Sequence, residues 1–213
     1  NDAVEISEVL DELIAEGKLR YKGITAWDGD GAVIQNLLDS GKFDTAQILY
    51  NVPSRTGCDL LTDTVLKLVP HDNVVGLKDA TGDLGRLKEA LSGLAQLNRT
   101  DFILYSGDDP TATQFMLKGG SGTISVTANV VPSQIAEICN KALSGDSQIA
   151  TKLDLEVKEL NEILFIESNP IPVKWILNRL GRIPGGLRLP LVELDNKFHH
   201  KTELILKELS LLN

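Results

Sequence analysis

The chain has 213 residues, 42% hydrophobic and 24% charged, with a formal net charge of −9. That length and apolar content suit one sizeable α/β domain with an adequate core. The acidic balance argues against nucleic acid or anionic membrane as partners, and no apolar run of about 18 residues or signal-like N-terminus is present. Cys58 and Cys139 are isolated, so reduced core thiols and a soluble, cytoplasmic protein are expected.

In chain order, an amphipathic helix is predicted from about Ser7 to Glu16, with Ile6, Val9, Leu10, Leu13 and Ile14 on one face. Ser7 is read as its cap and Gly17 as its stop. Strands are predicted near residues 19–25, 46–52, 73–78, 101–106 and 123–127. Helical stretches at about 31–40, 61–69, 84–97, 111–118 and 132–143 lie between and after them. Strand and helix alternating at this spacing predict a parallel sheet with crossover helices. Beyond Gly145 only helical patterns follow, at about 148–165, 172–180 and 192–211.

Several tempting features read blandly. His199 and His200 are adjacent on a helix and point apart, so no metal site is expected. In Gly107-Asp108-Asp109-Pro110 one of the two aspartates is expected to cap a helix entered through the proline. Residues 118–122, Lys-Gly-Gly-Ser-Gly, lack P-loop order and read as a tight turn. Asp28-Gly29-Asp30-Gly31 reads as a turn with a helix cap, and Trp27 and Trp175 as core or interface aromatics. No cofactor is expected.

The most informative residue is Lys78, which ends the apolar run Val74-Val75-Gly76-Leu77. A buried parallel strand would deliver its amine to the carboxyl end of the sheet, where α/β folds hold their chemistry. An amine there can condense with a carbonyl substrate, provided an apolar surrounding holds a useful fraction of it neutral.

Five motifs in order carry a resemblance: Tyr50-Asn51-Val52-Pro53-Ser54-Arg55-Thr56-Gly57, residues 74–82 (VVGLKDATG), 104–109 (LYSGDD), 122–130 (GTISVTANV) and 169–175 (NPIPVKW). From about Gln47 onward the chain resembles the dihydrodipicolinate synthases, lysine-dependent aldolases related to N-acetylneuraminate lyase. The resemblance implies Lys78 as the Schiff-base lysine for pyruvate or a similar 2-oxo acid, Tyr50 as the proton-relay tyrosine and Arg55 as the clamp for an incoming carboxylate. It places Gly107 and Ile124 on the wall of the pyruvate pocket.

Residues 1–51 resemble instead a middle segment of an aldo-keto reductase, through Glu16-Gly17-Lys18, Phe43-Asp44 and Gln47-Ile48-Leu49-Tyr50-Asn51. Since the last run satisfies both patterns, the expectation is an engineered chimera of two barrel proteins spliced within one strand. Three segments follow: 1–51 reductase-like, 47–145 synthase-like βα units, and 146–213 a helical appendage packed on the outside. The expected fold is α/β of the (β/α)8 TIM-barrel type, apparently partial, with about five parallel βα units.

A chain starting at Asn1 without a methionine is expected to be cut or incompletely represented. The threonine pair that completes the relay in the resembled synthases has no counterpart in residues 1–46. The expectation is therefore a remnant Schiff-base site with little or no turnover. The alternative is an active 4-hydroxy-tetrahydrodipicolinate synthase type of lyase, with missing elements supplied from elsewhere. Unprotected sheet edges predict a homodimer or larger self-association.

Overall fold

Residues 2–26, 36, 39–48, 61–71 and 74–212 are described by the computed structural model. They fall into two units, Asn1–Leu60 and Leu61–Asn213. Trp27, Tyr50, Arg55 and Cys58, the Asp28–Gly31 turn and most of the helix expected at about 31–40 lie outside the described residues.

In the first unit, α1 (Asp2–Ala15) ends as expected at Gly17, whose φ of +72° suits glycine. It starts earlier than its apolar pattern suggests, so Ser7 is an interior residue and not a cap. Ser7 is 1% exposed, whereas Ile6 and Val9 are each 56% exposed. The helix turns Ser7 inward because a polar partner waits there. Ser7 Oγ donates to the Lys42 carbonyl at 3.1 Å and accepts from Lys22 Nζ at 2.8 Å. Lys22 also pairs with Asp11 at 2.6 Å. The amphipathic reading misplaced the face because it weighed only carbon. β1 (Gly23–Ala26) and β2 (Thr45–Ile48) then pair in parallel, with Gly23 opposite Thr45.

The second unit follows the predicted βα order: α2 (Thr62–Leu68), β3 (Gly76–Asp79), α3 (Leu84–Gln96), β4 (Ile103–Ser106), α4 (Asp109–Leu117) and β5 (Gly122–Thr123). The strands lie in the order β3-β4-β5, all parallel, with Lys78 opposite Tyr105 and Ser106 opposite Thr123. Val69, Leu87, Ala90, Leu94, Phe102, Leu104 and Phe115 form a core between the sheet and α2–α4. β5 is shorter than expected, because Thr127–Asn129 leave the strand path as a 3₁₀ turn. The glycine-rich stretch before β5 is a tight turn, and a Cβ at Gly120 would collide with the Phe115 ring.

The remaining helices are α5 (Pro132–Leu143), α6 (Ser147–Ile163), α7 (Ile171–Arg179) and α8 (Asn196–Glu208). They surround a second apolar core, with Leu160, Leu164, Ile176 and Leu206 fully buried. α6 is also tied to the βα part, because Thr113 of α4 donates from Oγ1 to Asp154 Oδ1 at 2.7 Å. Among the described residues no helix is long and apolar enough to cross a membrane. His199 stacks on Trp175, with ring centroids 4.5 Å apart, and its Nε2 lies 2.9 Å from the Leu194 carbonyl oxygen.

Candidate active site

Lys78 is the third residue of β3, and the strand continues one residue further to Asp79. Its side chain is exposed. The described residues therefore do not enclose the amine in the apolar mouth expected from the sequence. What they do provide is a close neighbour on the next strand. Gly107 follows β4, and a Cβ built there would lie 2.6 Å from Lys78 Cε and 2.9 Å from Ala80 Cβ. A side chain at residue 107 would require the lysine stem or Ala80 to shift. The Gly107 N–H donates to the Asp79 carbonyl at 2.7 Å, which joins the ends of β3 and β4.

Asp79 braces the turn that follows Lys78. Its Oδ1 accepts the Thr81 N–H at 2.9 Å, and its Oδ2 accepts from Arg86 Nε at 3.3 Å. Both side chains of this ion pair are largely buried, at 11% and 18% exposure, so it is screened less than a surface pair. Sequence reasoning did not single out Asp79 or Arg86. The signal for them was Asp79 itself, a charge placed directly after an apolar strand.

Ile124 stands just past β5 and is 41% exposed. Its N–H donates to the Ser106 carbonyl at 2.8 Å. Lys78, Gly107 and Ile124 thus sit at the carboxyl ends of three consecutive parallel strands, two of them in backbone contact with the Asp79–Ser106 register pair. Tyr50 and Arg55, the other two predicted site residues, are outside the described residues.

The two aspartates after Gly107 divide their work. Asp108 is the cap of α4, its Oδ2 accepting from Thr111 N at 3.2 Å and Thr111 Oγ1 at 2.6 Å. Asp109 lies inside the first turn and is 4% exposed. Its Oδ2 accepts the backbone N–H groups of Val126 at 2.8 Å and Thr127 at 3.3 Å. Nearby, burial pushes the Cys139 thiol up, and the negative charge of Asp109 adds to the effect. Cys139 is a free thiol, and its burial disfavours the reactive thiolate form. A groove of about 500 Å³ runs along α6 and α8 past Leu155, Leu160 and Ile205 and includes none of the predicted site residues.

Known proteins resemble this chain in sequence and in fold. The model of the dihydrodipicolinate synthetase family matches residues 24–209. The 4-hydroxy-tetrahydrodipicolinate synthase of Laribacter hongkongensis is 51% identical over 169 residues, which cover 79% of this chain and 57% of that protein. The synthase of Shewanella pealeana is 44% identical over 203 residues, 93% of this chain and 67% of that protein. The chain thus spans a little over half the length of the Laribacter relative. Among solved structures, the dihydrodipicolinate synthase of Acinetobacter baumannii complexed with pyruvate superposes with a TM-score of 0.72 at 39% identity, over 89% of this chain and 66% of that one. The Thermotoga maritima enzyme gives 0.74 at 34% identity, over 89% and 66%.

These findings correct two expectations. Nothing supports an aldo-keto reductase segment or a chimera. The family match begins at Ile24, inside β1, and the Shewanella alignment covers nearly the whole chain, including the supposed junction. The confusion has a physical source, since a parallel βα unit in either family calls for an apolar strand, and one ending in Tyr-Asn serves both patterns. The expectation of a recombined scaffold with little or no turnover falls with it. Relatives about half identical to this chain are synthases.

Proposed function

The chain belongs to the dihydrodipicolinate synthetase family, and from that premise we propose that it is a lyase of the 4-hydroxy-tetrahydrodipicolinate synthase type, with Lys78 as the residue that binds pyruvate covalently. In this reading the Lys78 amine attacks the C2 carbonyl carbon of pyruvate, and the adduct loses water to leave an iminium. The positive nitrogen draws electrons from C3, so a methyl proton leaves and an enamine forms. The enamine carbon then adds to the aldehyde carbon of aspartate semialdehyde. The amine of that second substrate closes on C2, which forms the ring and releases Lys78.

The observation that carries this reading is the fit of Gly107 against the Lys78 stem, where a Cβ would come within 2.6 Å of Cε. The fastening of Ile124 to the Ser106 carbonyl supports a formed wall beside it. The pyruvate in the Acinetobacter structure supports a 2-oxo acid as the first substrate. Tyr50 is assigned proton transfer and Arg55 the carboxylate of the second substrate. Self-association and a cytoplasmic location complete the proposal.

Borohydride reduction in the presence of pyruvate, followed by peptide mapping, tests it. Label should collect on Lys78 ahead of all other lysines and vanish in Lys78→Arg, because a guanidinium stays charged and forms no imine. Label spread evenly over the lysines would overturn the assignment.

A further inference from the structure

We infer that Asp109 is a positioning residue for the pyruvate site: its carboxylate holds the turn after β5 and thereby fixes Ile124 at the rim it shares with Gly107. The inference rests on the Schiff-base reading above.

β5 is only two residues long, so the chain from Ile124 to Val126 leaves the sheet almost at once. Without a ladder its backbone donors need other acceptors. Ile124 finds the Ser106 carbonyl, while Val126 and Thr127 both turn to one oxygen of Asp109, at 2.8 and 3.3 Å. A carboxylate is a stronger acceptor than a carbonyl, and one in the first turn of α4 gains further from the helix dipole. Because Asp108 already caps α4, a second acid in that turn is not needed for the helix. Asp109 is instead buried and aimed across at another element.

The far side of the turn is held as firmly. Thr127 is fully buried, and its hydroxyl donates to Asn161 Oδ1 of α6 at 2.6 Å. Three residues on, the Val130 carbonyl accepts from Arg182 Nη1 at 2.6 Å. Ile124 therefore projects from a turn pinned to β4, α4 and α6. Release of the Asp109 contact frees the segment that follows Ile124 while leaving the strand before it paired.

The test separates positioning from folding. The rate of borohydride trapping at Lys78 is measured against pyruvate concentration, together with hydrogen exchange at the Val126 and Thr127 amides. Asp109→Ala should raise the half-saturating pyruvate concentration about tenfold, more than it lowers the rate at saturation, and should expose both amides to exchange. Asp109→Asn retains an oxygen that accepts both N–H groups, so it should stay within about threefold of the unsubstituted chain. Val157→Ala, in the helical core, serves as a control for general destabilisation and should leave half-saturation unchanged. Should Asp109→Ala not fold, Asp109→Glu replaces it: the extra methylene displaces the turn and should raise half-saturation in the same way. An unmoved half-saturation, protected amides in the alanine variant, or an equal shift in Val157→Ala would each refute the role of Asp109 alone. Absence of label in the unsubstituted chain would instead refute the Schiff-base reading, and the role of Asp109 in the reaction with it.

Discussion

A methyl group added at residue 107 would meet Lys78 Cε and the Ala80 methyl at once. Gly107→Ala should therefore push the lysine stem aside, at a cost to stability of about 1–3 kcal/mol. Its larger effect should be on chemistry, with trapping of pyruvate slowed about 10²-fold, as a displacement near 1 Å commonly does. Trapping at the unsubstituted rate would show that the contact yields freely. A second residue reads out in pH. Burial pushes the Asp154 carboxyl above its ordinary value of 3.8, and the hydrogen bond from Thr113 offsets this in part. A raised acid favours the fold in its protonated form. Its contribution is thus greatest below the ordinary carboxylate value and is lost as pH rises through the higher folded value. Asp154→Asn retains an oxygen for Thr113, so it should stabilise the chain at neutral pH and flatten its denaturation profile from about pH 4 upward. Equal stability of the two chains at all pH values would exclude the effect. Residues of this kind were legible only in part. The sequence marks Asp108 and Asp109 alike as cap candidates, and only the fold shows that the cap needs one while the other reaches a turn 17 residues away.

Elements were more legible than residues, and the reason lies in periodicity. α5 falls where Pro132 and the apolar spacing predict it, because a proline in the first turn and a 3.6-residue repeat are both local signals. β5 was overestimated since Val126 and Thr127 have strand propensity, yet the buried Asp109 acceptor draws them out of the ladder. α1 was mis-faced because an ammonium on another segment makes Ser7 an inward residue. The C-terminal helices, expected as an appendage from 146 onward, share an apolar core with α5 and with Val130 and Val131 ahead of it, in which Leu160 is fully buried. Leu160→Ala should accordingly cost about 2–5 kcal/mol, measurable as a lower denaturation midpoint with an unchanged slope. A loss well under 1 kcal/mol, at the level of an ordinary surface substitution, would mean that these helices pack loosely.

At the scale of the whole molecule, parallel strand order was legible from alternation alone, while the sheet's neighbours were not. Among the described residues β3 and β5 each have one strand partner. Parallel sheets are normally covered on both faces and rarely end in bare apolar edges. Here Val75, just ahead of β3, is 59% exposed and Ile124, just past β5, is 41% exposed. Both lie at the margins of the same sheet, one on each side of β4. An exposed apolar margin gains from contact with another chain, and the gain grows with concentration. Light scattering should therefore report a mass above that of one chain, rising as the protein is concentrated. Val75→Lys should shift the distribution toward the single chain, because a lysine on a strand margin must be desolvated before another chain can pair there. Its effect on the fold should be small, since an exposed position contributes little packing. A single species of one chain's mass at high concentration would show that the margins are already covered. Loss of association in Val75→Lys with trapping at Lys78 retained would place the contact outside the pyruvate site, whereas loss of both would mean that the second chain completes it.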